Sequence, residues 1–133
     1  MKTTMRRYRF DDDYWRIRRF LREVLLANQR EQISWDVARF DYWRWHSILN
    51  MRDYTLEDDV FIWESVNGEV VAILNPEAPG SVFFQIRPDC RTLELETEML
   101  SIAEQYLPWN FDDGRRELHV WAGPGLTRPG PNR

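Results

Sequence analysis

The chain has 133 residues, which suits one domain, and its 43% hydrophobic and 14% aromatic content is enough to build a core. The formal net charge of −4 gives no indication of nucleic-acid binding. The single cysteine excludes a disulfide within the chain, which fits a reducing compartment. No apolar run approaches the ~18 residues of a membrane span, and no signal-peptide pattern is present. We therefore expect a cytoplasmic protein that binds neither membrane nor nucleic acid.

The N-terminal part predicts one strand and two helices. Residues 5–10 suit a short strand, and a helix should follow from the three aspartates to about Gln29. A second helix is predicted over Asp36–Asn50. Its apolar stripe consists of Val37, Ala38, Tyr42, Trp45, Ile48 and Leu49. Phe40 and Trp43 lie off that stripe, which predicts that another part of the chain, a ligand or a partner covers a second side of this helix.

The middle of the chain predicts an antiparallel meander of three strands. Val60–Val66 and Val70–Leu74 favour strands, and Asn67-Gly68 between them is a strong hairpin signal because a type I′ turn needs positive φ at both central residues. A second turn over Asn75–Gly80 then leads into a strand over Ser81–Ile86.

The rest of the chain predicts a helix, a strand and a tail. A helix over Thr92–Leu107 should end at Pro108, and Leu118–Trp121 suits a short strand. Because a strand, a helix and a strand follow one another, the last two strands should be parallel. Residues 1–122 therefore predict one α+β domain, in which helices flank a mixed sheet of an antiparallel meander plus a parallel pair. Residues 123–133 predict a flexible tail rich in Pro and Gly.

The exit from the meander resembles a known family. Ile86, Pro88 and Arg91 stand where the GNAT (GCN5-related N-acetyltransferase) superfamily has an apolar strand end, a proline and an arginine before its cofactor loop. Together with the element order and the Asn-Gly hairpin, they resemble the N-terminal part of that superfamily over roughly residues 5–122. Residues 13–18 and 41–46 further resemble the leading half of bacterial proteins that carry two GNAT-like domains in tandem.

The resemblance implies a chemistry and a site. The superfamily transfers acetyl from acetyl-CoA to an amine, and its loop Arg/Gln-x-x-Gly-x-Gly/Ala holds the pyrophosphate through backbone N–H groups at a helix N-terminus. The matching cofactor-binding positions are Arg91, Thr92, Leu93, Glu94, Leu95 and Glu96. The predicted strand Ser81–Ile86, where the family often has its general base, carries no good base. Glu64 is then the best catalytic candidate, and an outward-facing strand residue is the simpler interpretation of it.

Glu94 and Glu96 occupy the two loop positions that are small in the family. A glutamate adds bulk and negative charge beside a pyrophosphate, and two like charges ~4 Å apart repel by ~4 kcal/mol at an effective dielectric of ~20. The same carboxylates stabilise a helix N-terminus without any ligand. The pair therefore predicts a degenerate cofactor loop. Two function classes stay open: a GNAT-type acyltransferase that uses acetyl-CoA, and a non-catalytic structural or interaction module without a cofactor.

The sequence after the last predicted strand lacks the further helix and two strands of the family, and no tyrosine follows Tyr106 to protonate a leaving thiolate. We therefore expect an incomplete GNAT-like sheet with Leu118–Trp121 at an open edge. A homodimer or a second GNAT-like domain would cover such an edge. His46, His119 and Cys90 show no metal-ligand spacing, so no metal site is predicted.

Overall fold

A computed structural model describes residues 2–27, 35, 37–47 and 55–122, so the predicted tail lies outside the described residues. Its helices are α1 (Asp11–Ala27), α2 (Val37–Tyr42, continued by a π-helical turn over Trp43–Ser47), α3 (Leu56–Asp59) and α4 (Leu93–Tyr106). Its strands are β1 (Thr3–Arg7), β2 (Phe61–Ser65), β3 (Val70–Ala78), β4 (Ser81–Ile86), β5 (Trp109–Asn110), β6 (Arg116–Glu117) and β7 (His119–Trp121). None of the described helices is long and apolar enough to cross a membrane.

The main sheet has five strands in the order β1-β2-β3-β4-β7. Neighbouring strands from β1 to β4 are antiparallel, and β4 pairs with β7 in parallel. This arrangement confirms the predicted α+β fold with a mixed sheet. β5 and β6 form a separate two-stranded ribbon that the sequence analysis did not predict.

The first hairpin of the meander forms where it was predicted, with a longer loop. The Ser65 N–H donates to the Glu69 carbonyl oxygen at 2.9 Å, and the Gly68 N–H donates to the Ser65 carbonyl oxygen at 2.9 Å. Three residues therefore lie in the loop, not the two of the predicted type I′ turn. Gly68 has a φ of 80°, and the register shifts just before the turn. Both features are typical of a three-residue hairpin closed by a glycine bulge.

The second turn of the meander is shorter than predicted. β3 does not end at Leu74 but continues through Asn75 and Pro76, which lie opposite Phe83 and Val82 of β4. The register shifts between Pro76 and Ala78, and such a bulge accommodates a residue that has no N–H to donate. Gly80, with a φ of 75°, then reverses the chain.

The buried face of α2 is not the one predicted. Phe40 and Trp43 are buried, whereas Tyr42 is 65% and Trp45 49% exposed. Phe40 stacks on Tyr14 of α1 at 5.4 Å between ring centroids. Trp43 Nε1 donates to the Pro76 carbonyl oxygen at 2.7 Å. The two aromatic side chains therefore determine which face of α2 is buried. Another part of the chain covers them, which was one of the predicted alternatives. Ile48 and Leu49 lie outside the described residues.

Helices cover both faces of the sheet, and the alternation along β2 shows which residues face which helix. Glu64 pairs with Arg16 of α1, at 2.8 Å between Arg16 Nη2 and Glu64 Oε2. Trp63, which points to the other face, donates from Nε1 to Glu98 Oε1 of α4 at 2.6 Å. α1 and α4 therefore lie on opposite faces, with the apolar core between each helix and the sheet.

Candidate functional site

The start of α4 is the candidate cofactor site. A 3₁₀ turn over Pro88–Cys90 redirects the chain after β4, since proline suits the first position of a helical turn. Thr92 is the N-cap of α4, with an extended backbone and an Oγ1 that accepts a hydrogen bond from the Leu95 N–H at 3.1 Å. This is the side-chain cap that helix N-termini favour. The residues from Arg91 to Glu96 therefore lie on the cap and first turn of a helix, where an anion is stabilised.

Arg91 is engaged by its own chain. Its Nη1 lies 3.5 Å from Glu96 Oε1, and both side chains are 15% exposed. Its Nη2 donates to the Ala122 carbonyl oxygen, just after β7, at 3.2 Å. The arginine that the resemblance assigns to a pyrophosphate thus neutralises a glutamate and joins the start of α4 to the end of β7.

The other residues of the first turn divide between core and solvent. Leu95 is buried, whereas Leu93 and Glu94 are exposed. The N–H groups of Leu93 and Glu94 precede the first intrahelical bond. Within the described part of the chain, neither has a hydrogen-bond partner. Two backbone donors remain at this helix start, beside two glutamates.

Glu64 lies on the opposite face of the sheet, in a cluster of charges with Arg6, Asp13 and Arg16. Arg6 donates to both of its carboxylate oxygens, at 3.0 Å from Nε and 3.2 Å from Nη2. Partial burial acts to raise the pKa of Glu64, but hydrogen bonds from Arg6 and Arg16 outweigh it and hold that pKa below its ordinary value. A carboxylate held this way is a weak proton acceptor at neutral pH.

A buried polar pair lies under the side of β4 that faces α2. Gln85 Oε1 accepts a hydrogen bond from the Trp35 N–H at 2.9 Å, and Gln85 Nε2 donates to Asn75 Oδ1 at 3.3 Å. The Trp35 ring packs against Phe83 at 5.6 Å and Trp43 at 5.8 Å between centroids. Trp35 therefore covers this side of β4. Sequence reasoning missed Asn75 because it assigned the residue to a turn, although Asn75 continues the every-second-residue pattern of β3.

The remaining reactive side chains do not assemble into a site. Cys90 is buried, and burial raises the pKa of its thiol. His119 lies exposed at the start of β7, with Nε2 3.1 Å from Glu117 Oε1. The His46 side chain lies outside what the structure describes. Among the described residues, no group of three or more His, Cys, Asp or Glu side chains is placed to hold a metal ion.

The structure is similar to the crystal structure of a GCN5-related N-acetyltransferase from Sphaerobacter thermophilus, with a TM-score of 0.55 and 17% sequence identity over 78% of this chain. The chain has the GNAT fold. This chain spans about a third of the length of that neighbour, with 31% of the neighbour covered. No family model matches the sequence, and no curated protein matches it.

The two parts of the candidate site lie on opposite faces of the sheet. Arg91 to Glu96 follow β4 at the helix start that the sequence analysis assigned to a pyrophosphate. The covered side of β4, with Phe83 and Gln85, lies on the other face of the sheet, where Glu64 also lies. The structure therefore does not bring Glu64 together with the start of α4, and the roles of these residues stay predictions.

Proposed function

We propose that this chain is a GNAT-fold domain with a degenerate cofactor loop, which serves as a non-catalytic module. The observation that carries the proposal is the Arg91–Glu96 ion pair at the start of α4. An incoming pyrophosphate would have to displace Glu96 from Arg91 and also approach the carboxylate of Glu94. A helix N-terminus stabilises a bound anion only when no other negative charge already occupies it. Here the carboxylates of Glu94 and Glu96 already supply that negative charge.

The other face of the sheet supports the same proposal. Trp35 and Phe83 fill the space over β4, and Gln85 offers an amide where a general base is needed. Glu64, the remaining carboxylate candidate, is held by two arginines. Acetyl transfer to an amine needs a group that accepts the proton of the amine. Gln85 has no basic group, and Glu64 is already paired with Arg6 and Arg16, so neither is suited to accept that proton.

Thermal unfolding with and without millimolar acetyl-CoA tests the proposal. A ligand present at ~100 times its dissociation constant stabilises a protein by ~2.7 kcal/mol, which raises the Tm by several degrees for a domain of this size. We expect no rise for the wild-type chain. The double variant Glu94→Gly/Glu96→Ala restores the family's small residues and releases Arg91 from its ion pair with Glu96, so we expect it to gain a rise with acetyl-CoA. Glu104→Gln, which removes an exposed carboxylate elsewhere on α4, is the matched control and should gain none.

A clear rise of the wild-type Tm with acetyl-CoA would overturn the proposal. The chain would then be an acetyl-CoA-dependent acyltransferase, and a screen of amine acceptors with an Arg91→Ala variant would follow. If neither the wild type nor the double variant responds, the cofactor loop is not the reason for the missing affinity, and the argument from Glu94 and Glu96 fails.

The module would act through the β7 edge of its sheet, which no other described strand pairs. β7 is the last strand in the sheet order, and an edge strand offers unpaired backbone groups to another chain. We therefore propose a second copy or a second GNAT-like domain as the partner, in the cytoplasm. Light scattering during size-exclusion chromatography measures the first alternative directly. A stable monomer at high concentration would argue against the homodimer, and only the second domain would then remain.

A further inference from the structure

A charged cleft of about 400 Å³ lies on the α1 face of the sheet. One wall is α1, and the other is formed by the β2–β3 hairpin and the first residue after β4. Its charged lining residues are Arg16, Arg19, Glu23, Glu69 and Arg87. The volume is near the lower end of the range for small-molecule sites. The cleft lies on the opposite face from α4, so it goes beyond the proposed function and does not depend on it.

The walls of the cleft are held together by two of its arginines. Arg16 donates to the Gly68 carbonyl oxygen and pairs with Glu64, so it fastens the hairpin turn to α1. Arg87 pairs with Asp89 at 3.1 Å and with Glu69 at 3.4 Å, so it fastens the end of β4 to the start of β3. Their guanidinium groups are used in these contacts. The cleft therefore exists before any ligand binds.

Arg19 and Glu23 are the lining residues that take no part in these contacts, although the negative charge of Glu23 acts electrostatically on Arg87 across the cleft. Both are exposed, and neither has a hydrogen bond or ion pair with the described residues. They are four residues apart on α1, which places them as neighbours on one helix face. An ion pair at this spacing is weaker when the cation comes first along the chain, as it does here. Within the part of the chain that the structure describes, a cation and an anion that have no direct ion-pair partner therefore stand side by side at the cleft.

We propose that the cleft binds a small zwitterion, whose carboxylate pairs with Arg19 and whose ammonium group pairs with Glu23. A ligand with only negative charge would also meet Glu23 and Glu69. A ligand with only positive charge would meet three arginines. A zwitterion satisfies both signs, and its apolar part lies against Phe20 and Val70, the apolar residues of the lining.

Three probes of similar shape test the charge requirement. L-leucine carries both charges, 4-methylpentanoate lacks the ammonium group, and 3-methylbutylamine lacks the carboxylate. Each is titrated into the isotopically labelled chain at constant ionic strength, and the amide NMR signals of Gly68 and Glu69 report binding. We expect L-leucine to shift these signals at concentrations up to ~20 mM, and each single-charge analogue to bind about tenfold more weakly or less, because it loses a charge-assisted hydrogen bond.

Variants on the same helix face separate the site from a general surface effect. Arg19→Gln and Glu23→Gln should each weaken L-leucine binding about tenfold. Arg22→Gln removes an exposed arginine of α1 that does not line the cleft, and should leave it within about twofold. Because the three positions are exposed, the substitutions should leave the fold intact, and an unchanged amide spectrum outside the cleft verifies that each variant is folded. The proposal is overturned if L-leucine leaves the two signals unmoved, if an analogue binds equally well, or if Arg19→Gln binds as the wild type does.

Discussion

The substitution Asp13→Asn should strongly destabilise the folded chain. Asp13 is 1% exposed, and its carboxylate accepts hydrogen bonds from Nη2 and Nη1 of Arg6 at 2.6 and 2.9 Å and from the backbone N–H of Arg9 at 2.8 Å. Asparagine keeps the size but removes the charge and turns an NH₂ group toward the guanidinium. Breaking a buried ion pair by removing one partner costs about 3–5 kcal/mol, and because Arg6 keeps Glu64 as a partner we expect a loss at the lower end of this range. For a domain of this size, the Tm should fall by roughly 10 °C or more.

The pH dependence of this difference follows from the pKa of Asp13. Burial acts to raise that pKa, but the hydrogen bonds from Arg6 and from the Arg9 backbone outweigh it, so the pKa of folded Asp13 is below its ordinary value. A lowered folded-state pKa gives stability that is fully present above the unfolded pKa of about 4 and is lost as the pH falls through the folded pKa. The Tm difference between wild type and variant should therefore be largest near neutrality and shrink in acid.

Circular dichroism melts of the two proteins between pH 3 and 7 measure both effects. Asp12→Asn is the matched control, because Asp12 is exposed on the same helix turn and should change the unfolding free energy by less than about 0.5 kcal/mol. The reasoning is refuted if Asp13→Asn melts within about 2 °C of the wild type at neutral pH, or if the difference does not depend on pH.

Three further predictions concern local structure. Gly68→Ala and Gly80→Ala each place a side chain at positive φ, but only at Gly80 would the added Cβ lie 3.1 Å from the Glu117 carbonyl oxygen. Urea unfolding should therefore show a larger loss of unfolding free energy for Gly80→Ala. Equal losses for the two variants would contradict this reasoning. Thr92→Ala removes the α4 cap and should lower the unfolding free energy by about 1 kcal/mol in the same assay, and an unchanged midpoint would count against the cap. The Cys90 thiol, buried and with a raised pKa, should react with a disulfide reagent far more slowly in the folded chain than in urea; fast native labelling would disprove its protection.

The elements with a strong local signal could be predicted from the sequence. β4 runs over the predicted residues because its apolar run is bounded by Gly80 and Pro88. α4 lies within one residue of its predicted ends because Thr92 caps it and Pro108 prevents its continuation. The parallel pairing of β7 follows from chain connectivity alone. The Thr92 cap and the end of β4 also made it possible to predict that the candidate cofactor-binding residues lie at the start of a helix.

Features that depend on tertiary packing could not be predicted in this way. The periodicity of α2 favoured a face with six apolar residues, but the contacts that two large aromatic side chains make with α1 and β3 decided which face is buried. β1 lies over Thr3–Arg7, not residues 5–10, because its register is set by pairing with β2. The β5–β6 ribbon has two residues in each strand, too few for a period, and only Asp113-Gly114 could have indicated its turn. Neither the Arg91–Glu96 contact nor the cleft on α1 has a signal in sequence spacing.

The buried pair of Asn75 and Gln85 has a consequence for how the sheet chooses its alignment. An apolar interface between β3 and β4 would tolerate a slip by two residues, since such a slip keeps every side chain on its own face. With this pair, a slip that moves Asn75 from Phe83 to a position opposite Ser81 separates two amides that are each 1% exposed and breaks their hydrogen bond. An unpaired buried amide costs about 1–3 kcal/mol, so a sheet slipped in that direction is disfavoured even though its apolar contacts survive. The two amides thus favour the observed strand pairing over this slipped alternative. Gln85 also fixes the position of the Trp35 backbone against β4.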